Sequence, residues 1–124
     1  MKSADRVLAR FRKLCLSFPE TSEASSWGHP NFRAGKRTFA TYEVIKGRPS
    51  LAFRLSGADM EVLLRQDQFF STPYGRGRWV SLWADGPLKW QLIADLLQRS
   101  YRTIAPRRIV SKTEGKQSKR TSVK

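Results

Sequence analysis

Histidine and cysteine each occur once in this chain of 124 residues, as His29 and Cys15, and only ten acidic side chains stand against 24 Lys and Arg. A single cysteine excludes an intramolecular disulfide. With one residue of each type, the chain holds no set for a His and Cys metal site and offers little for a Cys–His nucleophilic pair, so neither a metal nor another cofactor is expected and the chain reads as non-enzymatic. Long apolar runs are also missing: none approaches the roughly 20 residues that span a bilayer, so no membrane partner is expected. Met1 to Leu16 is charged throughout rather than a basic cap followed by an apolar segment, which excludes a secretory signal and makes the cytoplasm the expected location.

The shortage of acid leaves a formal net charge of +14. An imbalance of that size raises self-repulsion in the compact state and is matched by an anionic partner, with nucleic acid the first candidate. It falls in two parts: residues 1–105 carry 17 basic and 9 acidic side chains, and residues 106–124 carry 7 and 1. The final stretch, 111–124, has Val123 as its only strongly apolar residue. It cannot bury enough surface to offset the entropy of ordering it and reads as a disordered basic tail. Residues 1–110 then make one domain, with seven Phe, four Trp and three Tyr in the chain as bulky core material.

Hydrophobic periodicity orders that domain. Val7, Leu8, Phe11, Leu14 and Cys15 recur at helical spacing from Ser3 onward, with Arg6, Arg10 and Lys13 on the other side, and the helix stops before Pro19. Residues 19–26 are polar and read as a loop leading to Trp27, Gly28, His29 and Pro30. Asn31 to Ala34 and Arg37 to Ile45 read as strands around a turn at Gly35 and Lys36. After a second turn at Lys46 to Pro49, Leu51, Phe53 and Leu55 alternate with Ala52 and Arg54, a strand with one buried face. Ser56 is placed as the N-cap of a second helix reaching about Gln66, with Leu55 and Met60 as its hydrophobic staple. Phe69 to Pro73 and Arg78 to Trp83 read as strands joined by the basic turn Tyr74-Gly75-Arg76-Gly77. Pro87 suits the first turn of a last helix, whose apolar face runs to Ile104 and which Pro106 ends. Helix, three strands, helix, two strands, helix predicts an α+β domain with an antiparallel sheet covered by helices on one face.

Few motifs carry chemistry. Cys15 fits a small core residue, and His29, held between Gly28 and Pro30, fits a structural hydrogen bond, with a pocket at Trp27, His29 and Tyr74 as the alternative. Gly75 and Gly77 lack the third glycine and the following helix of a dinucleotide or P-loop turn. They suit instead a hairpin whose backbone approaches a phosphate closely, flanked by Arg76 and Arg78. Trp79, Trp83 and Trp90 invite a base-stacking reading, but Trp79 and Trp83 share a strand face and Trp90 lies near the apolar side of the last helix, so core packing is expected of them.

Several of these segments together resemble the MmcQ/YjbR family of small bacterial proteins: Leu16 to Glu20, Trp27-Gly28-His29-Pro30 with Phe32 and Arg33, Phe39-Ala40, Phe69-Phe70-Ser71-Thr72-Pro73, Trp79-Val80-Ser81-Leu82, and Ser100-Tyr101 followed by Ala105-Pro106-Arg107-Arg108. The resemblance covers about residues 3–110 and implies a topology similar to that of secretion chaperones. It also implies a DNA-binding role in which two basic β-hairpins act as wings. Those wings would be the turn carrying Arg33, Lys36 and Arg37 and the turn carrying Arg76 and Arg78, with Arg107 and Arg108 adding basic charge beyond the last helix. Many family members carry an Asn-Lys pair followed by His-Trp in the second hairpin, where this chain has Gly75-Arg76-Gly77-Arg78-Trp79. The expected function is phosphate-backbone DNA binding with weak sequence specificity, because the second helix is acidic at Asp59 and Glu61 and offers only Arg65. A chaperone-like or small-ligand-binding scaffold is the alternative.

Overall fold

The computed structural model describes residues 3–26, 28–73 and 78–104. Along the chain these form α1 (Ser3–Cys15), β1 (Thr21–Ser26), β2 (His29–Ala34), β3 (Arg37–Ile45), β4 (Arg48–Arg54), α2 (Gly57–Leu63), β5 (Phe69–Ser71), β6 (Trp79–Trp83) and α3 (Trp90–Ile104). The strands make one six-stranded sheet in the order β1-β2-β3-β4-β6-β5, every neighbouring pair antiparallel. This is the expected α+β class with an antiparallel sheet.

It has one strand more than expected. Residues 21–26, read as loop, pair in full register with β2 from Thr21↔Ala34 to Ser26↔His29. Their Ser-rich composition hides this, because an edge strand can be held by backbone hydrogen bonds on one side while its side chains stay largely in water. A bidentate ion pair ties it down: Arg12 of α1 donates to Glu23 at 2.6 and 3.0 Å. Several boundaries also move: β2 starts at His29 rather than Asn31, and β5 ends at Ser71 rather than Pro73. Arg48 and Pro49 belong to β4 rather than to the turn, which shrinks to Lys46 and Gly47 between the paired residues Ile45 and Arg48. Both turn residues have positive φ, 52° and 79°, the requirement of the two-residue I′ hairpin. The second helix closes at Leu63, and the third begins at Trp90 rather than near Pro87.

The helices pack on one face of the sheet. Phe11 of α1 meets Phe32 and Phe53 edge-on, with ring centroids 5.7 and 6.0 Å apart. Ile93, Leu96, Leu97, Tyr101 and Ile104 of α3 and Met60 and Leu63 of α2 complete a core with Leu51, Val80 and Leu82. The β2–β3 register shifts between Phe32, opposite Ala40, and Arg33, opposite Thr38, which leaves Phe39 as the extra residue of a bulge. Both Phe39 and Ala40 are fully buried, and Phe39 lies edge-on to Tyr101 and to Phe18. The bulge thereby restores the alternation that keeps Arg33 and Thr38 on the face away from the helices. The α2 N-cap is as expected: Ser56 accepts from the Asp59 backbone N–H at 3.2 Å.

Candidate nucleic-acid interface

Register places the functional side chains. Leu51, Phe53, Val80 and Leu82 point to the helices, so on β4 and β6 the alternate residues Ser50, Ala52, Arg54, Trp79, Ser81 and Trp83 line the opposite face. The β2–β3 turn at Gly35 and Lys36 lies at the end of the sheet where β4 finishes at Arg54 and β6 starts at Trp79. Arg54 pairs across with Trp79, and the Leu55 N–H donates to the carbonyl of Arg78 at 3.2 Å. Arg33, Lys36, Arg37 and Arg78, chosen from the sequence, therefore share one end of the sheet. Arg76 lies outside the described residues, as do Arg107, Arg108, the 111–124 tail and the pocket candidates Trp27 and Tyr74.

Arg54 stands in the middle of this group and was not singled out from the sequence. Half-buried, it has its pKa lowered, first by burial, which disfavours the charged form, and then by the like charges of Arg37 and Arg78. The signal for it was present: Arg54 is the outward residue ending an alternating strand. Only the β4–β6 pairing, which joins segments 25 residues apart (Arg54↔Trp79), brings it beside the second hairpin.

Among the described residues no acid answers these cations. Among the described residues, the ion pairs are Arg12–Glu23, Arg48–Asp85, Arg65–Glu61, Arg99–Asp59, Arg99–Asp95 and the His29–Glu43 contact, none of which includes Arg33, Lys36, Arg37, Arg54 or Arg78. The Arg33 Nε is buried without a hydrogen-bond partner, and on the same sheet face so is the Thr41 Oγ1. A buried polar atom left unpaired costs about 1–3 kcal/mol, so it marks a place where a ligand or water adds stability.

His29 sits at the other end of the sheet. Its Nε2 lies 3.6 Å from Glu43, and a cavity of about 200 Å³ opens between Gly28, His29, Pro30, Tyr42, Glu43 and Val44. That is below the roughly 300–1,000 Å³ of pockets that enclose small ligands. Cys15 is fully buried, as the sequence suggests. Trp90 packs against the core as expected, with Arg10 over its ring at 4.6 Å. Trp79 and Trp83 do not belong to the core: both are half-buried on the face that no described helix covers. Their shared strand parity was legible, but only the neighbours Val80 and Leu82, fixed against β4, decide which parity points to the helices.

Three helices on one side of a six-stranded antiparallel sheet, with Arg33, Lys36, Arg37, Arg54 and Arg78 at one end of it, define an α+β protein of a recognised family. The YjbR family model matches residues 16–103, and the chain belongs to that family. Two solved structures share the fold. One is a Deinococcus radiodurans protein with a DUF419 domain, at 19% identity and a TM-score of 0.65, covering 76% of this chain and 75% of that one. The other is a protein from Pseudomonas syringae, at 14% identity and a TM-score of 0.61, covering 83% of this chain and 98% of that one. No curated protein matches the chain.

Proposed function

We propose that this chain is a non-enzymatic DNA-binding protein that grips the phosphate backbone with the basic end of its sheet. The observation that carries the reading is that the sheet register gathers Arg33, Lys36, Arg37, Arg54 and Arg78 at one end, where burial first, and then the like charges of Arg37 and Arg78, lower the pKa of Arg54, and none of the five is in an ion pair among the described residues. Such an arrangement is costly in the free protein and favourable against a phosphate, whose oxygens accept from guanidinium groups in a bidentate manner. Phosphate contacts fix position without reading sequence. Seven-residue α2, bearing Asp59 and Glu61, has neither the charge nor the length of a groove-reading helix, which supports weak specificity. The chaperone-like alternative needs a contiguous exposed apolar patch. Among the described residues the exposed large apolar side chains, Leu16, Val44, Val62 and Leu64, are instead divided between the end of α1, β3 and the end of α2.

Titration with duplex DNA at several salt concentrations tests the reading. Arg37→Ala and Arg54→Ala are each expected to weaken binding and to lower the slope of log affinity against log salt by about one, similarly for every duplex sequence. Arg65→Ala removes the same charge from just beyond the end of α2, where Arg65 meets Glu61 at 3.4 Å, and is expected to leave the slope nearly unchanged. Equal effects from all three would mean diffuse attraction and no site.

A further inference from the structure

The sheet face beside the arginine cluster carries more than charge. At its basic end Trp79 stands directly across from Arg54 and next in sequence to Arg78. Beside them the floor is small and buried: Ser50, Ala52 and Ser81, with Thr41 on the neighbouring strand. Among the described residues the tryptophans differ in one respect. Trp83 already has Phe70 stacked at 4.2 Å and Arg48 over its ring at 3.9 Å, and Trp90 has Arg10. Trp79, half-buried on the same face, has no described ring or cation set against it.

An aromatic face of this kind, bordered by guanidinium groups that no described acid pairs, on an antiparallel sheet that no described helix covers, matches the chemistry of one occupant. A second copy of the chain would bring another +14 to a cationic surface and is repelled. An acidic peptide would answer the charge, but carboxylates alone offer nothing to stack on Trp79, whereas every nucleotide carries both a phosphate and a planar base. In duplex DNA each base face is stacked on its neighbours and out of reach, whereas in a single strand the bases splay onto aromatic side chains while cations track the backbone. We propose that this face binds an unpaired nucleic-acid strand, one base stacking on Trp79 and the adjoining phosphates meeting Arg54, Arg78 and Arg37. The inference rests on the phosphate-binding reading and adds to it the form of the nucleic acid.

Two probes of equal length and charge separate the two: an oligothymidylate of ten nucleotides, and an abasic deoxyribose-phosphate strand of ten units, each titrated against the full chain by fluorescence anisotropy. The wild-type protein is expected to prefer the base-carrying strand by about tenfold or more, the range set by stacking one base on an aromatic side chain. Trp79→Ala is expected to reduce that preference towards one and Trp79→Phe to retain part of it, while Arg54→Ala weakens both strands alike. Equal wild-type affinity for the two strands overturns the stacking inference and leaves the phosphate reading standing. Failure to bind either strand or duplex DNA overturns both.

Discussion

At the scale of single residues, burial sorts the chemistry of this chain more sharply than residue type does. Cys15 is the one thiol, and it is wholly enclosed between α1 and the sheet. Burial raises its pKa well above the usual thiol range, and the negative charge of Glu23 adds to the shift. The thiolate is the reactive form. Native protein at neutral pH is therefore expected to resist a thiol reagent such as dithionitrobenzoate and to react fully once denaturant is added. Rapid stoichiometric labelling of the native protein would contradict the packing described for α1. Tyr101 shows burial with its polar end satisfied: its ring stacks on Phe18 at 4.8 Å, and its hydroxyl donates to the carbonyl of Pro19 at 2.8 Å. A helix residue 82 positions downstream thus fastens the connection between α1 and β1.

At the scale of elements, legibility followed side-chain burial. Helices α1 and α3 and strands β3 and β4 bury a periodic apolar set, and their existence was readable from the spacing of Phe11, Phe53 or Leu97. Strand β1 buries no comparable set. Its pairing with β2 and the Arg12–Glu23 bridge are long-range facts that no local window contains. The bulge at Phe39 was equally hidden, since Phe39-Ala40 looks like ordinary alternation until the pairing of Arg33 with Thr38 is known. For the site the same holds: the cations of the β2–β3 hairpin are visible as a cluster, while Arg54 enters only through the β4–β6 ladder. The β3–β4 hairpin offers a test of a local rule. Gly47 has a φ of 79° and open space where a Cβ would stand, so Gly47→Ala meets backbone strain without a steric clash. The expected cost is about 1–2 kcal/mol, the penalty of the left-handed region for an L residue, measured by urea denaturation. No loss of stability would show that the turn adopts another form.

At the scale of the whole molecule the fold divides its labour by face and by end. All three helices serve the core on one face, and the other face keeps half-buried tryptophans and small polar residues. Along the strands, one end collects Arg33, Lys36, Arg37, Arg54 and Arg78, and the other collects Glu43 and Asp85 with their partners His29 and Arg48. Among the described residues no helix is long and apolar enough to cross a membrane. Among the described residues, cations without an ion pair therefore gather at the hairpin end, while the other end holds ion pairs.

The crowding of Arg54 has a consequence for evolution and for engineering. Burial, and then the like charges of Arg37 and Arg78, disfavour the charged form of the Arg54 guanidinium. Arg54→Gln keeps most of the side-chain length and discards the charge, so it is expected to raise the melting temperature while weakening nucleic-acid affinity. Added nucleic acid should in turn stabilise the wild-type protein more than the variant, because a ligand bound only by the folded state shifts unfolding by mass action. A melting temperature lowered by Arg54→Gln would mean that the arginine supports the fold instead. With the expected result, this one position would act as a dial between durability and grip, with arginine at the end that favours grip.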